Sequence, residues 1–536
     1  MALAVPVAGQ PVFPTVPEWE SLNPHFSTGA ALADIDRDGW LDLVVADGND
    51  MSPGRLNVYY NSGDGTLPAS ASWQSDDLAF NGHLDVADVD GDGWLDVAVA
   101  ILVNEGGPAA KLYLNSSGTL SGMPVWMSAE AAPAFGVAFG DVDNDARPDL
   151  AVATGWAYGT PHLDHNYVYR NVDGMLEHSA SWQSDDTYDH QGALWTDADD
   201  DGWLDLVLVA ARSETRIYRN RVGELETTAS WETADSIDQD GIMLAVGDVT
   251  GDGRRDLFAT DNTQLGGSGL FKQYTGLAGG FFDTYYSWNY YEGYGSAIAL
   301  ADVNADGMLD LATGAWWDYT RIFHNTGSGL AAKPSWSSGG TSVVEKIVFG
   351  DVDPPCGIEL SFTEHFQADT GRQLFHLQRQ PIQGIVAVRR DGVELGPDEY
   401  LYSRESGWVV VSPAPAIWLE VTYTYSRSLD MAITNWDSGI GNFLYYNLLF
   451  DDCNDNDIAD GCDIDSGYSD DVNGNGVPDE CEDCPWDLDG GGDVGINDFL
   501  GLLGAWGQTG VPADFDGGGV GITDFLILLG NWGPCP

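Results

Sequence analysis

The chain has 536 residues, 43% hydrophobic and 11% aromatic, enough for a sizeable packed core, which excludes global disorder. Its 84 acidic against 21 basic residues give a formal charge of −63, which excludes nucleic acid and anionic membranes as partners. No run reaches the roughly 18 apolar residues of a membrane helix, so no span is expected. Met1–Gly9 is apolar but short and lacks a basic flank, and by itself is no proof of export.

In chain order, the first organised feature is a repeat. A pattern D-x-D-x-D-G-x-x-D followed by an apolar run recurs as Asp34-Asp36-Asp38-Asp42, Asp88-Asp90-Asp92-Asp96, Asp141-Asp143-Asp145-Asp149 and Asp197-Asp199-Asp201-Asp205. Two variants follow, Asp248-Thr250-Asp252-Asp256 and Asp302-Asn304-Asp306-Asp310. The starts lie 54, 53, 56, 51 and 54 residues apart. A seventh start, Asp351-Asp353, breaks into Pro354-Pro355-Cys356, so loop seven is expected to be empty.

Each unit reads as four short strands, the signature of a propeller blade. An apolar stretch such as Gly136–Gly140 enters the acidic loop and another, Leu150–Ala153, leaves it. A third strand carries an aromatic and usually an Asn, as in Tyr59-Tyr60-Asn61, and a fourth holds a Trp: Trp73, Trp126, Trp182, Trp231, Trp288 and Trp336. Trp19 lies 54 residues before Trp73, so a fourth-type strand precedes the first loop. Leu429–Ile433 matches Leu41–Val45, and Phe443–Asn447 matches the end of the first third strand. The expected fold is all-β: a seven-bladed β-propeller over 1–447, closed by the N-terminal strand, which pairs an otherwise open edge. Residues 354–427 interrupt blade seven as a small β-domain, with strands at Ile385–Val388, Trp408–Val411 and Trp418–Tyr423. That insertion is expected to be a passenger on the ring.

Carboxylates at positions 1, 3, 5 and 9 of a turn, with Gly at 6, converge their oxygens and would repel one another without a cation. Ca²⁺ takes six to eight hard oxygen ligands and suits this set. Thr250 and Asn304 remove a charge but keep an oxygen.

The spacing resembles the calcium loops of FG-GAP/VCBS propellers, the family that includes the integrin α-chain head. Ala138-Phe139-Gly140-Asp141 and Thr313-Gly314-Ala315 lie nearest the family's name motif. The resemblance covers about residues 11–447 apart from the insertion, and implies a propeller, Ca²⁺, and adhesion or ligand binding as the usual role.

Beyond Asn447 the texture becomes Asp/Asn/Gly/Cys. Over 448–482 one pattern occurs twice, with Asp452, Asn454, Asn456 and Asp460, then Asp471, Asn473, Asn475 and Asp479 as oxygen donors. It resembles thrombospondin type 3 repeats, in which calcium and disulfides stand in for a core. Five of the six cysteines lie between Cys453 and Cys535, which fits disulfides in an oxidising compartment. Over 483–536, Asp487, Asp489 and Asp498, then Asp514, Asp516 and Asp524, open two short apolar helices, each followed by Trp-Gly. This resembles a type I dockerin and implies a cohesin-like receptor. Gly491 and Gly518 replace an expected Asp/Asn, and the second loop is one residue short. Together the modules imply a secreted or cell-surface bacterial protein.

No H-E-x-x-H, G-x-S-x-G or phosphate loop is present. The function expected is therefore non-catalytic adhesion or carbohydrate/protein binding, the alternative being a propeller lyase or glycosidase. Alternate connections of a propeller emerge on opposite faces. The face away from the acidic loops gathers Trp156, Tyr158, Trp316, Trp317 and Trp436 with Tyr188, Tyr290, Tyr291 and Tyr294. These are the candidate residues for a glycan or cell-surface ligand, since aromatic faces stack on sugar rings.

Overall fold

The computed structural model describes residues 12–22, 25–102, 106–155, 163–234, 240–353, 360–368 and 371–448, and in the tail 469, 486, 488, 493–509, 511, 513, 515, 518–530 and 532–534. It is nearly all β, with two short α-helices in the tail.

Among the described residues, five four-stranded antiparallel sheets and an eight-stranded sheet that joins two further groups of four follow one plan. In the second, Asn81–Ala87, Asp96–Ile101, Ala110–Tyr113 and Trp126–Met127 pair in that order; in the fourth, Asp189–Thr196, Asp205–Ala211, Arg216–Tyr218 and Trp231–Glu232 do. The last group joins Ser342–Gly350, Asp430–Asn435 and Phe443–Tyr445 to Trp19–Glu20, which pairs Trp19 with Leu444. First strands of successive groups touch in order, and Ser342–Gly350 returns to touch Ser27–Ala33. This ring of radial sheets is a β-propeller.

Two repeating contacts hold neighbouring sheets together. The outer-strand Trp packs edge-on against the third-strand aromatic of the next sheet: Trp19 on Tyr59, Trp126 on Tyr169, Trp182 on Tyr218, Trp288 on Phe323, at ring separations of 5.2–5.3 Å. The third-strand Asn donates from Nδ2 to a carbonyl in the preceding sheet's acidic loop. Asn115 reaches Ile35 (2.8 Å), Asn171 reaches Val89 (2.7 Å) and Asn220 reaches Val142 (2.7 Å). Asn61 reaches Val352 (2.9 Å), so the same bond crosses the junction between the first and last sheets. Gly276 occupies the Asn position in the fifth sheet, and there the backbone N–H of Phe281 donates to Ala198 O instead (2.8 Å).

The segment between Asp353 and Asp430 packs on the ring. It forms two small sheets, Leu360–Gln367/Trp418–Tyr425/Gly384–Arg390/Val393–Glu394 and Leu374–His376/Trp408–Val411/Tyr400–Ser403, with their own core. Leu374, Leu401, Trp408 and Val410 then join a cluster with Val142, Trp195 and Leu204 of the ring. Arg404 Nη1 donates to Leu32 O and Phe349 O on the other side (both 3.1 Å). Strand-like sequence reports a segment's own β-structure and is blind to an apolar edge aimed at a neighbour, so these contacts were not foreseen. Between ring and insertion lies a cavity of about 800 Å³, lined by Asp85, Lys346, Tyr402, Arg404 and Glu405 among others.

Residues 449–536 belong to a second compact unit. Its helices α1 (Ile496–Gly504) and α2 (Ile522–Gly530) pack around Val494, Leu502, Val520 and Leu528.

Candidate calcium loops and ligand surface

The acidic loops share one backbone solution. The position 1 carboxylate accepts N–H groups from positions 5 and 6: Asp34 from Asp38 and Gly39 (both 3.1 Å), Asp197 from Asp201 and Gly202 (both 2.9 Å). Such a turn places position 6 in the left-handed region, which Gly adopts without strain, as Gly39 does at φ 94°. Loop three carries Ala146 there at φ 69°.

The position 9 carboxylate is a buried clamp. It accepts the position 2 N–H and the N–H of the third-strand Asn: Asp96 from Val89 (2.8 Å) and Asn115 (2.7 Å), Asp205 from Ala198 (3.0 Å) and Asn220 (2.7 Å). Thus each Asn ties position 9 of its own loop to the preceding one.

Oxygens of positions 1, 3 and 9 lie within 4.8 Å of one another in loops one to four: Asp34/Asp36/Asp42, Asp88/Asp90/Asp96, Asp141/Asp143/Asp149 and Asp197/Asp199/Asp205. Position 5 stands outside these trios. Asp38, Asp92, Asp145 and Asp201 turn an oxygen onto the N–H of position 7 at 2.9–3.1 Å. In loops five and six Asp248, Asp256, Asp302 and Asp310 keep the same clamps, while Thr250 faces Asp248 and Asn304 Nδ2 donates to Asp306 (3.0 Å). Asp252 pairs with Arg254.

Loop seven holds a trio that sequence reasoning missed: Asp351, Asp353 and Asp430. Asp430 takes position 9, accepting N–H bonds from Val352 (2.7 Å) and Asn447 (2.9 Å) across the insertion. The expectation of an empty loop looked for its remaining ligand next to Pro355. The match of Leu429–Ile433 to Leu41–Val45 was the signal that would have found Asp430.

Burial pushes the carboxyls of Asp96, Asp149, Asp205 and Asp310 up to about 8, and the neighbouring loop acids add to it. A bound cation reverses that tendency by favouring the charged form. The residues fit a hard cation on a second ground. Asp88 Oδ1, Asp143 Oδ1 and Asp199 Oδ1 are buried without a hydrogen-bond partner, and an oxygen so placed is costly unless it has a ligand.

On the opposite face the aromatics divide. Trp316 and Trp436 are 3% and 8% exposed and seal the ring with Leu102, Phe135, Ile242 and Val343. Trp316 Nε1 donates to Glu345 Oε2 at 2.7 Å. Neither ring can stack on a ligand, which corrects their assignment to the surface. The cause is a strand longer than the repeat: Asp310–Asp318 runs on to pair Trp316 with Val343. A bulge at the next residue leaves Trp317 58% exposed at φ 58°, edge-on to Tyr294 at 5.7 Å. Tyr291 and Tyr294 are exposed, Tyr290 packs on Phe323, and Tyr188 lies under the Arg216 guanidinium at 3.8 Å. Trp156 and Tyr158 lie outside the described residues.

In the tail, Asp498 and Asp524 are buried, and each accepts the N–H of the Gly three residues before it, at 2.6 and 2.7 Å. Asp452, Asn454, Asn456, Asp460, Asp471, Asn473, Asn475, Asp479, Asp487, Asp489, Asp514, Asp516 and all six cysteines lie outside the described residues. Each helix exposes the same stripe, Ile496-Leu500-Leu503 and Ile522-Leu526-Leu529, followed just beyond its end by an exposed Trp506 or Trp532, offset by 26 residues.

A family model described as FG-GAP-like repeat matches residues 21–99 and 197–259. No curated protein matches the chain. Among solved structures, the chain is similar to the Myceliophteria thermophila Cps50 (Swd1) beta-propeller domain at 9% identity and TM-score 0.40, over 60% of this chain and 89% of that one. It is similar to BBS1N, solved in complex with ARL6DN, at 11% identity and TM-score 0.41, over 75% and 98%. It is also similar to the computationally designed Ika8 protein at 11% identity and TM-score 0.41, over 80% and 99%. The chain carries FG-GAP-like repeats on a β-propeller.

Proposed function

We propose that this protein is a secreted or cell-surface, calcium-stabilised propeller of seven blades, with 354–427 inserted in the last, acting as a non-catalytic binding module. The observation that carries the reading is the repeated carboxylate trio with a buried, unpartnered oxygen in loops two, three and four. Asp34, Asp36 and Asp42, with their counterparts in the other loops, would hold the ions. Calcium would neutralise the trios and lock each sheet to the next. Bound glycan or cell-surface ligand would use Trp317, Tyr294 and Tyr291, because Trp317 keeps more than half its surface exposed in a left-handed bulge beside two exposed tyrosines. The doubled apolar stripe of the tail supports docking to a cohesin-like receptor.

The test is calorimetric titration with calcium, followed by a screen of plant and marine glycans. Trp317→Ala should abolish glycan retention while changing stability by less than about 0.5 kcal/mol, as expected for an exposed side chain. Retention equal to wild type would remove this surface from the reading. Depolymerisation of any glycan would replace binding with a propeller lyase or glycosidase.

A further inference from the structure

Loops two and four share the same motif, D-x-D-x-D-G-W-L-D, yet they face different charges. Among the described residues no ion pair reaches Asp88, Asp90, Asp92 or Asp96; Arg37 meets loop two only at the Gly93 carbonyl and over the Trp94 ring. In loop four, Arg219 Nη2 contacts Oδ2 of Asp199 and, at 2.9 Å, Oδ2 of Asp201, spanning positions 3 and 5. Arg219 immediately precedes the third-strand Asn; loops one and two have Tyr60 and Leu114 there, and loop three has Arg170, with Nη1 3.6 Å from Asp143. A second guanidinium comes from the inserted domain. Arg372 Nη2 lies 3.5 Å from Asp197 Oδ2 at position 1 and 3.0 Å from Asp200 Oδ1. Beside it Gln373 Nε2 donates to Asn144 O in loop three (2.6 Å).

The fourth loop nevertheless keeps the marks of an ion site. Asp199 is 6% exposed, and its Oδ1 has no partner. A cation entering there meets oxygens already shared with two arginines, and must displace or repel them. We infer that loop four is a calcium site of much lower affinity than loops one and two, and that its filling is coupled through Arg372 to the seating of the inserted domain. Coupling of this kind is reciprocal: calcium weakens the Arg372 contact by the factor by which that contact weakens calcium. The inference rests on the calcium reading of the loops.

Calcium titration of the full chain by calorimetry, with hydrogen exchange at Leu374–His376, tests it. Loop four should fill at calcium concentrations at least about tenfold above loops one and two, in line with the dependence of affinity on ligand charge. Asp199→Asn should delete the weak phase and Asp90→Asn a tight one. Arg219→Gln with Arg372→Gln should move the weak phase into the tight class, and this gain does not depend on the aspartate variants folding. In wild type, exchange at Leu374–His376 should rise only over the weak phase. Loss of a tight site in Asp199→Asn, or a weak phase unmoved in the double arginine variant, overturns the inference. An isotherm unchanged by both Asp90→Asn and Asp199→Asn would overturn the calcium reading itself, and the inference with it.

Discussion

Loops two and four are near copies in sequence, and the ring treats them differently. Loop two is met by Arg37, which bonds the Gly93 carbonyl and lies over the Trp94 ring without pairing with a loop carboxylate, and Asn171 bonds the Val89 carbonyl. Loop four is met by Arg219 and Arg372, and a backbone N–H from Phe281 bonds the corresponding Ala198 carbonyl. The motif establishes where oxygens converge, while the charges brought to it establish how much a cation gains there. Counting aspartates is therefore a poor measure of calcium affinity, because neighbouring cations set the charge that each trio presents.

The broadest way to press this comparison is to remove the metal. Each site filled at a hundredfold excess over its dissociation constant contributes about 2.7 kcal/mol. Excess chelator should therefore lower the melting temperature more than any single substitution does, with identical curves in chelator and in millimolar calcium as the contrary result. Next comes the insertion, which reaches loop four through Arg372 and the first and last sheets through Arg404. Trp408→Ala should cost about 3–5 kcal/mol by urea melts, because Trp408 is buried against ring residues. A cost below about 1 kcal/mol would mean that the insertion rides loosely after all.

The aspartate pair sharpens the contrast directly. Asp90→Asn should cost about 2–3 kcal/mol in calcium and almost nothing in chelator, since on the proposed reading its main partner is the ion. Asp199→Asn should cost about 1 kcal/mol in both media, since Arg219 is its partner and is partly exposed. A pH effect supplies a control that neither loop governs. His83, on the first strand of the second sheet, is buried, and burial with the nearby Lys346 lowers its pKa to about 3. Its ordinary value is about 6.5. The folded state therefore resists a proton that the unfolded chain accepts. The associated stability is present above pH 6.5 and lost as pH falls from 6.5 towards 3, with a slope of at most about 1.4 kcal/mol per pH unit. His83→Leu should lower that slope, shared with the buried His190, as measured by urea melts between pH 7 and 4, whereas an unchanged slope would mean that His83 takes no part in it.

Much of this was legible because it is local or periodic. The turn at Asp34–Asp42 closes on its own N–H groups, and the Trp of each outer strand recurs at a fixed phase, as inter-sheet packing demands. Trp316 and Trp436 were misread because the repeat ends each second strand early. Strand alternation puts Trp316 and Trp317 on opposite faces. Only pairing with Val343 carries the strand far enough for that to apply.

By itself the sequence determined the acidic turns, the four-strand period, and the supply of strands at both ends of the ring, since each depends on residues a few positions apart or on a regular spacing. Tertiary structure alone decided which charges meet at a loop. Arg219 approaches Asp201 from 18 residues away and Arg372 approaches Asp197 from 175. Asp430 is the contrary case: the match of Leu429–Ile433 to Leu41–Val45 puts it at position 9, and the pairing of Asp430–Asn435 with Ser342–Gly350 carries it to loop seven. Electrostatic interactions depend on separation in space, and a motif carries no information about what the fold will place beside it.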